Sequence, residues 1–327
     1  MIFLDLIILV VGFIALVKGA DIFVDGSASL ARKLKVSGLI IGLTIVAFGT
    51  SAPELAVSTL AALRGSNDIA LSNVTGSNIF NLLCVLGVCA ILAPVPSSED
   101  ILKRDMPFSI IITVIVWIFG GGLFFINAMG DPGIANSQEI GVVGRLEGII
   151  LLIIFAVYMV VLIKASRKGS DNDSSEYTDK PMAKCIVFIV IGLVLIVVGG
   201  QAVVNSAKSI AYTCGMSETL VGLTIVAIGT SLPELVTSIV AARKNETGLA
   251  VGNVVGSNIF NIMFILGITT LINPVSVSLE SSADLIVLVA VSIVSYIFLI
   301  TNRELKRFEG IIMILLYVLQ VSYAIVR

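Results

Sequence analysis

Long apolar segments alternate with short polar ones along almost the whole chain. Windows of about 20 apolar residues, the length of a helix that crosses a bilayer, recur ten times. The predicted spans are residues 2–24, 37–63, 69–93, 107–127, 144–165, 184–211, 217–242, 248–272, 282–301 and 307–326. The pattern predicts an all-α polytopic membrane protein, and the first window is predicted to be a spanning helix and not a cleaved signal.

The composition supports a membrane protein and narrows its partners. Apolar residues make up 57% of the 327 residues and charged residues 13%, about half the charged share of a soluble domain. The net charge of −2 and the lack of a basic tract argue against a nucleic-acid partner and leave the lipid bilayer as the expected surroundings. The four cysteines contain no CxxC pair, so we expect them to be small apolar residues and not metal ligands.

One block of sequence occurs twice. Residues 42–81 and 222–261 share 24 identities in 40 positions at a constant offset of 180. The same offset places the first five predicted spans on the last five, and because five is odd the second copy must enter the membrane from the opposite side. The sequence therefore predicts two inverted five-helix repeats, residues 1–165 and 184–327, joined by a polar linker at 166–183.

The loop charges predict an orientation. Of the 20 lysines and arginines, 15 lie in or beside the loops that follow odd-numbered spans. The positive-inside rule places those loops, including 166–183, in the cytoplasm and both termini outside.

Each copy of the repeated block holds a carboxylate in an otherwise apolar stretch, Glu54 in the first and Glu234 in the second. An ionised group at membrane depth costs roughly 2.5–3.5 kcal/mol on insertion scales, so such a group indicates a functional site. Pro53 and Pro233 precede them, and a proline inside a helix predicts a kink that loosens backbone carbonyls there. Two such carboxylates in duplicated surroundings predict one site shared by both halves.

The neighbouring polar residues offer only oxygen ligands. Glu54 shares a helical face with Thr50 and is flanked by Ser51, and the next span carries a polar stripe of Asn73, Ser77 and Asn81. The second copy repeats these as Thr230, Ser231, Glu234, Asn253, Ser257 and Asn261. Hard cations prefer such ligands, and Ca²⁺ takes about 6–8 of them. Two carboxylates can balance one Ca²⁺ or be overcompensated by three Na⁺, so a site that holds either set, and never both, would exchange them.

Other interpretations of these residues remain. Ser58, Ser238, Asn78 and Asn258 are predicted to pack or bridge helices. A serine or zinc protease would need a histidine, which the chain lacks, and no paired aspartates are evident within the spans. A purely structural membrane protein would not need duplicated buried carboxylates. A cation/proton antiporter stays open, because a buried glutamate can also carry a proton.

The motifs GTSAPE and GTSLPE, each followed by GSNIFN, resemble the two α-repeats of the sodium/calcium exchanger family of calcium/cation antiporters, in its prokaryotic ten-span form. The resemblance covers essentially the whole chain. It implies a Na⁺/Ca²⁺ antiporter of the plasma membrane that works as a monomer without a cofactor or an obligate protein partner. It also implies a core of spans 2, 3, 7 and 8, across which spans 1 and 6 slide. The ligands it implies are Glu54, Thr50, Ser51, Ser77, Asn81 and the Ala47 carbonyl, with Glu234, Thr230, Ser231, Ser257, Asn261 and the Ala227 carbonyl.

One position and one motif refine that expectation. Potassium-dependent members of the family carry Asp where this chain has Asn261, so we expect no K⁺ requirement. Proton-coupled calcium exchangers of the superfamily typically show GNxxE in place of GTSxPE, which favours sodium over protons here and leaves an antiporter of Ca²⁺, or another cation, and H⁺ on the same fold as the alternative.

Overall fold

The computed structural model describes residues 2–65, 67–123, 140–166, 181–216 and 227–326, which are almost entirely helical. The helices of the first half are α1 (Ile2–Leu34), α2 (Gly38–Ile41), α3 (Ala47–Thr50), α4 (Ala52–Leu63), α5 (Asn67–Phe80), α6 (Leu86–Leu92), α7 (Met106–Phe119) and α8 (Arg145–Ser166). Those of the second half are α9 (Met182–Thr213), α10 (Ala227–Thr230), α11 (Leu232–Arg243), α12 (Thr247–Phe260), α13 (Leu266–Ile272), α14 (Leu279–Asn302) and α15 (Arg307–Val326).

Most of the predicted spans are helices long enough to cross a bilayer. Seven described helices meet that requirement by length and composition, and a bent pair makes an eighth. Of the other two windows, 107–127 overlaps α7, and 217–242 overlaps α10 and α11. Residues 124–127 and 217–226 of those windows, and 167–180 of the predicted linker, lie outside the described residues.

The kink predicted from proline is confirmed in the second span. The segments Gly38–Thr50 and Ala52–Leu63 meet at an angle of 48°. Ser51 is the residue between them, with φ −83° and ψ 10°, and Pro53 lies in the first turn of α4. Proline lacks an N–H and clashes with the preceding turn, so the helix restarts here instead of continuing.

Four π-helical segments, which the apolar pattern did not predict, interrupt the described helices. They are π1 (Gly42–Val46), π2 (Asn81–Val85), π3 (Ile101–Asp105) and π4 (Asn261–Ile265). Two of them begin at Asn81 and Asn261, so the same GSNIFN sequence produces the same local widening in each copy. Such π segments are frequent at functional sites.

Helices α1 and α9 pack along each other through glycines spaced seven residues apart, Gly12, Gly19 and Gly26 on α1 and Gly192 and Gly199 on α9. A Cβ at Gly19 would lie 2.7 Å from the Leu195 Cβ atom. Small residues on both helices thus let the two backbones approach closely, as they do in membrane helix pairs.

The centre of the molecule is made by the repeated blocks. Helix α4 packs on α5, and α11 packs on α12 in the same way. The α2–π1 segment lies against α12, where a Cβ at Gly252 would meet the Leu39 carbonyl at 2.5 Å. This arrangement holds the kinks of both copies next to each other.

Two short antiparallel strand pairs connect distant loops and were not predicted. Strand β1 (Val95–Pro96) pairs with β4 (Glu304–Leu305), and β2 (Gly141–Val143) pairs with β3 (Val275–Val277). The first pair joins the loop after the third predicted span to the loop after the ninth. The second joins the loops after the fourth and eighth.

Candidate cation site

The two helix breaks bring the predicted polar residues into the interior. Ser51 and Ser231 occupy the breaks, and Glu54 and Glu234 lie in the first turns of α4 and α11. All four side chains are fully buried.

The hydrogen bonds of the two glutamates cross between the repeats. The Ser231 hydroxyl donates to Glu54 Oε1 at 2.9 Å, and the Ser51 hydroxyl donates to Glu234 Oε1 at 2.7 Å. Ser77 also donates to Glu54 Oε1, at 3.4 Å. Ser51 and Ser231 therefore each reach the glutamate of the other copy, and the two carboxylates belong to one polar cluster.

Several buried oxygens of this cluster have no hydrogen-bond partner within the described part of the chain. They are Glu54 Oε2, Glu234 Oε2, Asn81 Oδ1, Asn261 Oδ1, Thr230 Oγ1 and Ser257 Oγ. All six belong to the residues that the sequence singled out, and four of them form repeat-related pairs. Leaving a buried polar atom unpaired costs free energy, so a concentration of such atoms calls for a ligand that accepts oxygen lone pairs.

No described basic group neutralises this cluster. The ion pairs of the described residues involve other carboxylates, and neither Glu54 nor Glu234 takes part in one. Asp105 shows the contrast, because it is equally buried but is bound by Arg104 at 2.7 Å and by the Tyr158 hydroxyl at 3.0 Å. Asp105 therefore has both a cationic and a hydroxyl partner, whereas each of the two glutamates keeps one oxygen without a partner among the described residues.

The remaining predicted ligands differ in whether their oxygens already take part in hydrogen bonds. The Ala47 carbonyl accepts a hydrogen bond from the Ser51 backbone N–H at 3.1 Å, so the kink does not free it. The Thr50 hydroxyl has one proton to donate and three acceptors within reach, Asn253 Oδ1 at 3.0 Å and the carbonyls of Val46 at 3.1 Å and Ala47 at 3.4 Å. Ala227 is the first residue of α10, and its side chain lies outside the described part.

The residues predicted to bridge helices do so. Asn73 donates to Ser58 at 3.0 Å, and Asn253 donates to Ser238 at 2.9 Å, which ties each glutamate-bearing helix to the next one. Asn78 and Asn258 connect the two copies through reciprocal side-chain bonds to each other's backbone carbonyls. Sequence reasoning missed that these two also contact the predicted ligands Asn261 and Asn81, although their identical placement in the two copies was a signal.

Comparison with known proteins gives a consistent result. The family model described as sodium/calcium exchanger protein matches residues 4–164 and 184–326. The putative antiporter CaxA of Alkalimonas amylolytica is 36% identical over 95% of this chain and 96% of its own length. The sodium/calcium exchanger MaX1 of Methanosarcina acetivorans is 36% identical over 97% of both chains.

Among solved structures, the sodium-calcium exchanger NCX_Mj superimposes with a TM-score of 0.82 at 30% sequence identity, covering 98% of this chain and 99% of that one. Its structures were obtained with Na⁺, Ca²⁺ or Sr²⁺ soaks. The family model spans nearly all of the sequence and both relatives match end to end. This chain therefore belongs to the sodium/calcium exchanger protein family of membrane antiporters.

Proposed function

We propose that the protein is a secondary active antiporter that exchanges Na⁺ for Ca²⁺ by alternating access at one midplane site built from Glu54 and Glu234. The observation that carries the proposal is the set of six buried oxygens, contributed by both repeats and including one from each glutamate, that have no partner among the described residues. Carboxylate, hydroxyl and amide oxygens are the ligands that Ca²⁺ and Na⁺ prefer.

The charge of the site explains why the two ions would compete. One Ca²⁺ neutralises the two carboxylates, and Na⁺ ions can do the same from the same oxygens. The serine hydroxyls assist without leaving the glutamates, because a hydroxyl that donates its proton keeps two lone pairs for a cation. Ser51 and Ser231 each donate to a glutamate of the opposite repeat. Occupancy by one kind of ion then excludes the other, which is the requirement for exchange. No cofactor is needed for this chemistry.

The proposed architecture is ten spans in two inverted repeats, residues 1–165 and 184–327. The strand pairs support it, because each joins loops that the prediction places on one side of the membrane. The ion pair between Arg32 and Glu246 likewise joins the loop after the first span to the loop after the seventh. The loops after odd-numbered spans, with linker 166–183 among them, hold 15 of the 20 basic residues, so we place these loops in the cytoplasm. Both termini then lie outside the plasma membrane.

Sodium is the proposed coupling ion and potassium is not required. A relative named sodium/calcium exchanger, 36% identical over 97% of the chain, supports sodium. The absence of a third carboxylate, since positions 81 and 261 are both Asn, supports independence from K⁺.

The test is radiolabelled Ca²⁺ uptake into proteoliposomes loaded with Na⁺, with K⁺-loaded vesicles and an imposed pH gradient as the comparisons. The proposal expects uptake driven by the outward Na⁺ gradient alone and unchanged by external K⁺. Uptake driven only by the pH gradient would replace it with the Ca²⁺/H⁺ alternative on the same fold. Uptake that needs K⁺ together with Na⁺ would refute K⁺ independence.

A further inference from the structure

Asn78 and Asn258 form a reciprocal bridge at the junction of the two repeats. The Asn78 amide nitrogen donates to the Asn258 carbonyl at 3.1 Å, and the Asn258 amide nitrogen donates to the Asn78 carbonyl at 3.2 Å. Both side chains are buried, with 1% exposure. Because the donor of each side chain is committed to the opposite backbone, the side-chain oxygen of each can point in only one direction.

That oxygen accepts a hydrogen bond from a proposed ligand of the other repeat. Asn78 Oδ1 accepts from the Asn261 amide nitrogen at 3.0 Å, and Asn258 Oδ1 accepts from the Asn81 amide nitrogen at 3.1 Å. The four amides thus form a closed arrangement in which Asn78 holds Asn261 and Asn258 holds Asn81.

These hydrogen bonds fix the direction in which the side-chain oxygens of Asn261 and Asn81 point. An asparagine side chain carries donors on one side and an acceptor on the other. With its nitrogen fixed, Asn261 must present its oxygen in the opposite direction, and the same holds for Asn81. Those two oxygens, buried to 1% exposure, are without a partner in the described part of the chain. A half-turn of either amide would instead present NH₂, which repels a cation.

We propose that Asn78 and Asn258 are positioning residues for cation binding: each fixes the amide of the opposite repeat so that the Asn261 and Asn81 oxygens face the ion. This inference rests on the proposed function. It goes beyond the bridging role, because it states which ligand each of the two asparagines positions. Asn78 acts through Asn261 and not through Asn81, and Asn258 acts through Asn81 and not through Asn261.

The test is a pair of double-variant cycles on Na⁺-driven Ca²⁺ uptake by proteoliposomes, in which the KM for Ca²⁺ and the maximal rate are measured separately. Residues that orient metal ligands typically change metal affinity 10–100-fold when removed, so we expect Asn78→Ala to raise the KM about tenfold or more. The same substitution in an Asn261→Ala background should add almost nothing. In an Asn81→Ala background it should multiply the KM by its full factor.

In the corresponding cycles, Asn258→Ala should add almost nothing in an Asn81→Ala background. In an Asn261→Ala background it should multiply the KM by its full factor. If Asn78→Ala multiplies the KM equally in both backgrounds, or lowers only the maximal rate, its role is packing and the proposal is overturned. Should Asn78→Ala fail to fold, Asn78→Ser replaces it in the same cycles. Its side chain is one bond shorter than asparagine and cannot hold the Asn261 amide at the observed 3.0 Å, so it should raise the KM in the same direction and remain silent in the Asn261→Ala background.

Failure of the proposed function would be visible separately, in the wild-type protein. If the wild type does not couple Ca²⁺ uptake to Na⁺, the proposed function fails, and the same cycles are then read from radiolabelled Ca²⁺ binding to the purified protein. Crossed coupling in binding would still support the positioning role, and equal effects in both backgrounds would still overturn it.

Discussion

Replacing Gly199 by alanine tests how closely α1 and α9 approach each other. A Cβ at this position would lie 2.6 Å from the Leu16 backbone nitrogen and 2.8 Å from the Gly12 carbonyl oxygen, distances that real Cβ atoms essentially never show. Both obstacles are backbone atoms, so no side chain can rotate away. The two helices would have to separate by several tenths of an ångström.

The neighbouring Gly200 provides a matched control. A Cβ there would have its nearest contact at 3.7 Å, with Pro233 Cγ, which is an ordinary van der Waals distance. Both substitutions exchange glycine for alanine within one helix, which by itself favours the helix by about 1 kcal/mol. Only Gly199→Ala adds overpacking, which costs typically 1–3 kcal/mol. We therefore expect Gly199→Ala to be less stable than Gly200→Ala by about 2 kcal/mol.

The measurement is the thermal unfolding midpoint of both purified variants in the same detergent, at the same scan rate. A difference of this size should lower the midpoint of Gly199→Ala by a few degrees relative to Gly200→Ala. Equal midpoints, or a more stable Gly199→Ala, would refute the close glycine-mediated packing of α1 on α9.

Other predictions concern the site and the ends of the helices. Asn261→Asp adds a third carboxylate, so we expect an altered Ca²⁺ affinity or ion requirement in proteoliposome uptake, and an unchanged ion profile would place residue 261 outside the site. Lys244 binds Asp21 and Asp25 of α1 at 2.7 Å each, and exposed pairs of this kind are worth up to about 1 kcal/mol. Lys244→Met should therefore shift the equilibrium between packed and separated arrangements of α1 and the end of α11 by up to about fivefold toward separation, measured by thiol labelling of a cysteine introduced beside residue 244. The repeat-related Arg64 is exposed, so Arg64→Met should have no such effect, and equal labelling of both variants would contradict this role for Lys244.

The sequence predicted the features that depend on local composition and repetition. Apolar length located the described spanning helices, and Pro53 located the break at Ser51. Duplication singled out Glu54 and Glu234, because a buried carboxylate is costly and appears twice in equivalent surroundings.

The contacts between the repeats could not be predicted from the sequence. The crossed bond from Ser231 to Glu54 and the bond from Asn261 to Asn78 depend on how two segments 180 residues apart face each other, which no periodicity encodes. The π segments that begin at Asn81 and Asn261 were missed because the i+5 hydrogen bond leaves the apolar pattern almost unchanged over one turn. The short strands were missed because each is only two or three residues long.

The central claim is that Glu54 and Glu234 form one cation site, and substituting each by glutamine tests it most directly. Glutamine keeps the size and one oxygen but removes the charge. The measurement is Na⁺-driven uptake of radiolabelled Ca²⁺ per amount of folded protein, with Asp105→Asn as the control because Asp105 is equally buried but bound by Arg104 and Tyr158. We expect Glu54→Gln and Glu234→Gln each to abolish uptake, while the folded Asp105→Asn control retains it. Exchange at the wild-type rate in either glutamine variant would contradict the claim.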